Sequence, residues 1–196
     1  VRGYATAALR FELTAWQART RDALIPFEVP DAPGRQFFRN AGSTRSHGIE
    51  PALQATAPLR IEWDLAYAWI DSRSDDFTVD DEMFDDNDVP GIAPHRFAGS
   101  LTRRTQSWLV GLEMTHTGAV PVDDANVADA DGWTTIDLRG QLRVLEHAGG
   151  LWLSAGATNL LDEEYVGSVV VNAFGGRFYE PAPGRGFYVG LRAGGR

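Results

Sequence analysis

Two acidic segments hold the side chains of this 196-residue sequence that could bind a cation or a small ligand. The first is DDFTVDDEMFDDNDVPG, residues 75–91. Clustered carboxylates suit Ca²⁺, because this ion takes several oxygen ligands. The spacing does not match an EF-hand, however, and the required glycine is missing. We therefore interpret the segment as a solvated loop that could bind divalent cations.

The second segment, VDDAN, offers Asp123, Asp124 and Asn126 as ligand-binding residues. Carboxylate and amide oxygens could bind a polar solute that reaches an exposed loop. Asp and Asn also favour turns, because their side chains bond to nearby backbone groups. The turn interpretation is the stronger of the two, and ligand contact is kept as an alternative hypothesis.

Other residue types that perform chemistry form no recognisable constellation. The four histidines, His47, His95, His116 and His147, are scattered, and isolated histidines more often make local hydrogen bonds than bind metal. The sequence has no cysteine, no G-x-S-x-G motif and no grouped Ser, His and acid. We therefore predict no catalytic residue, no metal site and no cofactor.

The segments that must hold these loops show a hydrophobic period of two, which is the period of β-strands. Residues 5–17, 59–69 and 133–144 alternate most clearly between apolar and charged side chains. Weaker alternation covers residues 47–55, 96–102, 108–115, 151–158 and 186–193. The pattern predicts an all-β antiparallel meander of about eight strands.

The links between these strands alternate in length. Short links fall at 55–58, 103–106 and 146–150, whereas long ones fall at 21–37, 72–94, 117–131 and 160–184. Short turns at one end and long loops at the other are typical of a transmembrane β-barrel in the bacterial outer membrane. The apolar face would then contact lipid and the charged face a wet lumen. The predicted lumenal charges are Arg10, Glu12, Arg60, Glu62, Asp64, Asp137, Arg139 and Arg143.

Composition narrows the possible partners. The formal net charge is -9, which argues against a nucleic-acid partner, because phosphate binding needs a basic face. No apolar run approaches the roughly 18 residues that a transmembrane helix needs. The first residues also lack the pattern of a signal peptide, so either export is not involved or the true N-terminus lies upstream.

Several motifs in this sequence resemble those of TonB-dependent outer-membrane receptors, which import siderophores, cobalamin and similar ligands. They occur in family order over nearly the whole chain. The matching segments are RNAGSTRSHGIEPAL (39–53), VPGIAPHRF (89–97), VPVDDANVADADGWTTIDLR (120–139), ATNLLDEEYVGS (157–168) and YEPAPGRGFYVGL (179–191).

The resemblance implies that residues 1–196 form the C-terminal portion of a twenty-two-stranded barrel, with the family's plug domain absent. It further implies active transport of a metal chelate such as a ferric siderophore, with outer-membrane lipid and, through the plug, the TonB complex as partners. Two other hypotheses remain open at this stage. One is a self-contained eight-stranded barrel with a structural or adhesive role. The other is a soluble β-sandwich that binds carbohydrate.

Overall fold

The computed structural model describes residues 1–40, 42–79, 81–146 and 150–193. Its main feature is one antiparallel sheet of nine strands in the order β1-β2-β5-β6-β9-β10-β13-β14-β17. The strands are β1 (Arg2–Thr6), β2 (Leu9–Arg21), β3 (Leu24–Phe27), β4 (Phe37–Asn40), β5 (Ser43–Ala57), β6 (Ile61–Asp75), β7 (Thr78–Val79), β8 (Glu82–Met83), β9 (His95–Arg104), β10 (Trp108–Thr117), β11 (Val120–Pro121), β12 (Asp129–Ala130), β13 (Trp133–Leu145), β14 (Leu151–Thr158), β15 (Val166–Val169), β16 (Tyr179–Pro181) and β17 (Gly186–Ala193).

The predicted all-β meander is confirmed, with two corrections. The first predicted strand, residues 5–17, is a hairpin of β1 and β2 that turns at residues 7–8. The turn was hidden because Ala5 and Ala7 continue the apolar alternation through it. Arg60, predicted on the charged face of a strand, lies instead in the 3₁₀ turn Pro58–Arg60 with φ of 56°. The strand after this turn begins at Ile61.

The strand register divides the sheet into two unlike faces. Directly opposed residues of antiparallel strands point to the same side, so each row of Cα partners shares a face. One row, on the polar face, contains Arg10, Gln54, Asp64, Ser100, Glu113 and Asp137. The neighbouring row, on the apolar face, contains Leu9, Ala55, Trp63, Leu101, Leu112, Leu138, Ala157 and Phe187.

No second sheet covers the apolar face among the described residues. The four further sheets are two-stranded and belong to the long loops. Leu101, Val189 and Leu191 are exposed on the apolar face, with Val189 77% exposed. A β-sandwich would bury these side chains, so the sandwich hypothesis is wrong. The small hydrophobic core, formed by Ile25, Phe77 and Phe84, lies in the loops instead.

The two ends of the sheet differ in the length of the connections between strands. At one end short turns join β1 to β2, β5 to β6 and β9 to β10. At the other end lie the long loops, beside which β2, β5 and β6 reach 13, 15 and 15 residues. Strands β1 and β17 are the two edges of an open sheet. The helical segments of the described chain are 3₁₀ turns, and none has the length and hydropathy needed to cross a membrane.

Candidate functional site

Four long loops meet at one end of the sheet, and we call them together the loop cap. The loop cap comprises residues 22–42, 76–94, 118–132 and 159–185, apart from Ala41 and Asp80, which lie outside the described residues. Ile25, Phe77 and Phe84 from the first two loops form its apolar centre, with the two phenylalanine rings 5.6 Å apart. Val171 from the fourth loop packs against this centre. The loops therefore pack on one another.

The predicted ligand residue Asp124 is buried inside the loop cap. Its side chain is 3% exposed, and its Oδ2 accepts a hydrogen bond of 2.7 Å from Nη2 of Arg39. The Arg39 guanidinium also lies over the rings of Phe27 and Phe77, at 4.9 and 5.9 Å from their centroids. The guanidinium is thus held by charge on one side and by aromatic faces on the other.

Asn172 completes this cluster and connects three loops. Its Nδ2 donates to Oδ2 of Asp124 at 3.0 Å and to the carbonyl of Pro26 at 3.2 Å. Its Oδ1 accepts from the Asp124 backbone N–H at 2.9 Å. Its backbone donates to Val122 and accepts from Glu28. Asn172 adopts φ of 54°, a conformation that asparagine tolerates better than most residues.

The other two predicted ligand residues also bond within the loop cap. The Asn126 side chain accepts from the Asp88 N–H at 2.7 Å and donates to the Asp88 carbonyl at 3.0 Å. The amide therefore makes the two hydrogen bonds that the backbone of a neighbouring strand would make. The Asp123 carboxylate accepts from the Val127 N–H at 3.0 Å. The structure therefore brings Asp123, Asp124 and Asn126 into one loop, where each makes bonds that shape it.

The loop cap covers the polar face at the loop end of the sheet. Thr44, Ser72 and Ser74 lie on the same side of β5 and β6 as Asp64, and all three are buried. The hydroxyls of Ser46 and Ser72 are 2.7 Å apart. Backbone bonds join the 84–89 segment to Ser72 and Ser74. The polar face below the loop cap is therefore closed at one end by loops.

Aspartates of the acidic segment, residues 75–91, form ion pairs with arginines on the apolar face of the sheet. Arg19, Arg45 and Arg73 are aligned as Cα partners on β2, β5 and β6. Their ion pairs are Arg19 with Asp75 at 2.5 Å, Arg45 with Asp86, and Arg73 with Asp71 at 3.0 Å and with Asp88 at 3.4 Å. The 75–91 segment is thus tied to the sheet as well as solvated.

The predicted lumenal charges on strands lie on the polar face, where several are paired. Arg139 is 3.0 Å from Glu113, and Arg10 donates to Gln54 at 3.3 Å. The Asp137 carboxylate accepts the Asn159 N–H at 2.7 Å, which anchors the start of the last loop. Four other predicted charges lie on this face. Glu12 is 3.8 Å from Arg10, and Asp64 accepts a hydrogen bond from Ser100. Glu62 is the Cα partner of Thr102, and Arg143 lies over the ring of Trp152.

A shallow depression of about 420 Å³ lies on the polar face below the loop cap. Its floor consists of Ala52, Ala66 and Ala98, which are Cα partners on three adjacent strands. Glu50 on β5 and Arg96 on β9 also line the depression. Glu50 accepts a 2.7 Å hydrogen bond from the Trp16 indole. The small alanine side chains of three adjacent strands thus leave a concavity on the polar face.

Three of the histidines make local contacts. His95 lies 2.7 Å from the Tyr67 hydroxyl, His116 2.9 Å from the Thr134 hydroxyl, and His47 3.5 Å from Asp71. His147 lies outside the described residues. Within the ranges that the structure describes, no three His, Asp or Glu side chains are grouped so as to hold a metal ion.

Asp162 joins the NLLDEEY motif to the Pro-Gly-Arg sequence before the last strand. Its carboxylate accepts from the Arg185 backbone N–H at 3.0 Å and from the Arg185 guanidinium at 2.9 Å. The backbone hydrogen bond, followed by the positive charge of Arg185, lowers the pKa of Asp162 from its ordinary value of 3.8. Both contacts favour the ionised carboxylate.

We expect the contact between Asp162 and Arg185 to weaken below pH 3.8, the ordinary pKa of an aspartate. Because the folded pKa lies below the unfolded one, the contact stabilises the loop above pH 3.8 and loses this effect as pH falls through the folded pKa. Proteolysis of the 159–185 loop at a series of pH values measures this. Asp162→Asn should remove the acid-dependent step, and a step centred above pH 3.8 would contradict the assignment.

An open antiparallel sheet with one apolar face, one polar face and long loops at a single end defines a wall segment of a membrane β-barrel. Sequence comparison supports this class: residues 1–160 match the family model described as TonB dependent receptor-like, beta-barrel. The chain belongs to this family of outer-membrane transporters, whose members are not enzymes.

Solved structures share the fold. The ferric yersiniabactin uptake receptor FyuA from Yersinia pestis is 22% identical, with a TM-score of 0.72 over 97% of this chain. The siderophore receptor PiuA from Acinetobacter baumannii is 16% identical, with a TM-score of 0.72 over 94%. The copper transporter OprC is 20% identical, with a TM-score of 0.71 over 96%. This chain covers 28%, 26% and 29% of those three chains, respectively.

Proposed function

We propose that this chain is the C-terminal part of the barrel of an active transporter that imports a metal chelate such as a ferric siderophore. The observation that carries the proposal is the division of one sheet into an apolar and a polar face, with the loop cap closing over the polar one. In a barrel of about twenty-two strands the polar face lines the lumen and the apolar face contacts lipid.

Several features support the assignment of the polar face to the lumen. The row of Arg10, Asp64 and Glu113 could not face hydrocarbon without a large desolvation cost. The apolar row that includes Leu101, Leu112 and Leu138 needs no protein cover if lipid surrounds it. The edges at β1 and β17 are then pairing sites for further strands of the same barrel, which closes without free edges.

The loop cap and the depression below it form one wall of a vestibule in this proposal. Asp123, Asp124 and Asn126 serve ligand capture by holding the shape of the loop cap, because their side chains bond to neighbouring loop groups. In this proposal the ligand itself contacts groups that are exposed toward the lumen, such as Arg96 and Glu12 beside the alanine floor. A plug in the complete protein would bind the TonB complex.

The names of three solved relatives support a proposal for the class of cargo. FyuA is a ferric yersiniabactin uptake receptor and PiuA a siderophore receptor, whereas OprC is a copper transporter. A chelated transition metal is the cargo type that these three proteins suggest. Among such cargoes we propose a ferric siderophore, in line with two of the three.

Uptake by cells tests the proposal. The complete gene is expressed in a strain without its own iron-chelate receptors, and radioactive iron is supplied as a catecholate, a citrate or a phenolate chelate. We expect accumulation of one class of chelate that stops when TonB is deleted. Copper uptake under the same conditions would point to a different metal, and uptake that continues without TonB would contradict active transport.

A further inference from the structure

Arg103 is a charged residue on the apolar face, near the short-turn end of the sheet. It lies on the apolar face, as the Cα partner of Ile61 on one side and Val110 on the other. Its guanidinium carbon is 5.3 Å from the centre of the Trp108 ring. Tryptophan is enriched where a membrane protein meets the lipid headgroups. A guanidinium stacked on an aromatic face keeps its N–H edge free to bind phosphate.

Arg60 adds a second positive charge from the neighbouring turn. It directly precedes Ile61, the Cα partner of Arg103, and it is exposed. Neither arginine makes an ion pair within the described part of the chain. No Asp or Glu lies on the apolar face at this end of β5, β6, β9 and β10. The residues there are Ala55, Ala57, Ile61, Trp63, Leu101, Trp108 and Val110.

The opposite end of the same face differs in its charge. There the aligned arginines Arg19, Arg45 and Arg73 are each paired with an aspartate. At its short-turn end the apolar face therefore carries the positive charge of Arg103, and no carboxylate on that face of β5, β6, β9 and β10 offsets it. Short turns lie on the periplasmic side of outer-membrane barrels. Arg60 and Arg103 are thus level with the headgroups of the inner leaflet, which consists of phospholipids.

An apolar groove of about 420 Å³ runs over Gly99 on the same face. Its walls include Leu65, Phe97, Leu101 and Met114. Gly99 lies four residues from Arg103 along β9, which is about 13 Å in a strand. A side chain at position 99 would fill the groove, because a Cβ there would come within 3.1 Å of Phe97 and 3.2 Å of Leu65.

We propose that these two features together bind an anionic phospholipid of the inner leaflet. Arg60 and Arg103 contact its phosphate headgroup, and the groove over Gly99 receives one acyl chain. The charge selects an anionic headgroup, and the depth of the groove below the arginines matches a chain that descends from that headgroup into the membrane. This site rests on the proposed assignment of the apolar face to lipid.

Native mass spectrometry of the complete outer-membrane protein tests the site. The protein is exposed to equal amounts of phosphatidylglycerol and phosphatidylethanolamine, and the ratio of bound lipids is measured. We expect phosphatidylglycerol to be preferred. Arg60→Gln and Arg103→Gln should each lower the ratio about fivefold, as expected for one basic residue near an anionic surface. Gly99→Val should lower retention of both lipids and leave their ratio unchanged.

Arg104→Gln is the matched control, because Arg104 is the next residue of β9 and lies on the polar face with Thr102. It should leave the ratio unchanged. An equal effect of Arg104→Gln, or no lipid preference in the wild type, would overturn the site. Insertion of the wild-type protein into vesicles is measured separately. Failure to insert would refute the lipid-facing assignment, whereas insertion without lipid preference would refute this site alone.

Discussion

Replacement of Asp124 by alanine should loosen the loop cap while leaving the barrel strands in place. The substitution leaves the Arg39 guanidinium, which is largely buried, without its carboxylate partner. Removing one member of a buried ion pair typically costs 3–5 kcal/mol. It also takes away one of the hydrogen bonds that hold Asn172, because the Asn172 amide donates to the Asp124 carboxylate. We expect the loop cap to open more easily by about 3 kcal/mol.

Hydrogen exchange of the complete protein measures this opening. Amides of the 120–131 and 169–177 segments should lose protection by roughly a hundredfold, since about 1.4 kcal/mol corresponds to a factor of ten. Asp131→Ala is the matched control, because Asp131 is exposed in the same loop. Similar exchange in both variants would show that the bond between Arg39 and Asp124 does not hold the loops together.

Replacement of Leu65 by arginine should destabilise the barrel in the membrane. Leu65 lies on the apolar face about halfway between Ile61 and Trp69, where the proposal places the middle of the bilayer. An arginine on the lipid face at the bilayer midplane costs about 2–4 kcal/mol. We expect a fall of this size in the free energy of unfolding, measured by tryptophan fluorescence during denaturant unfolding from vesicles.

Ser100→Arg is the control for this substitution. Ser100 follows Gly99, the Cα partner of Leu65, and faces the opposite side between Asp64 and Glu113. An arginine there gains carboxylate neighbours, so stability should change little. A large loss in Ser100→Arg together with a small loss in Leu65→Arg would reverse the assignment of the two faces.

Much of the fold follows from the sequence, because side chains that alternate between lipid and water leave a period of two in the chain. This alternation predicts the strand at 59–69. It does not predict the continuation of the strand to Asp75, because the apolar-face positions beyond Trp69 are Asp71 and Arg73. The backbone pairing continues there after the hydrophobic alternation has stopped. The sequence does not indicate the hairpin turn at residues 7–8, because alanine is characteristic of neither a turn nor one face of a strand.

Less of the candidate site could be predicted. Asp124 was identified as a residue of interest from its turn-forming neighbourhood, yet its burial depends on Arg39, which is 85 positions away. Asn172 and Glu28 gave no signal in the sequence. The Asn172 side chain bonds to Pro26, 146 positions away, and the Glu28 carboxylate to Arg177, 149 positions away. Such contacts arise only when the antiparallel order of the strands brings distant loops to one end.

The sequence by itself determined the strands, the two faces and the alternation of short and long connections, because these are local consequences of side-chain polarity. The tertiary structure decided which loop residues meet and which are buried. It also paired Arg19, Arg45 and Arg73 with aspartates at the loop end of the apolar face. At the short-turn end, Arg60 and Arg103 form no ion pair with any of the described residues. The physical reason is register: the alignment of neighbouring strands sets which charges lie side by side. Hydrophobic periodicity excludes a slip of one residue, which would exchange the two faces, but a slip of two residues keeps the faces and changes the neighbours.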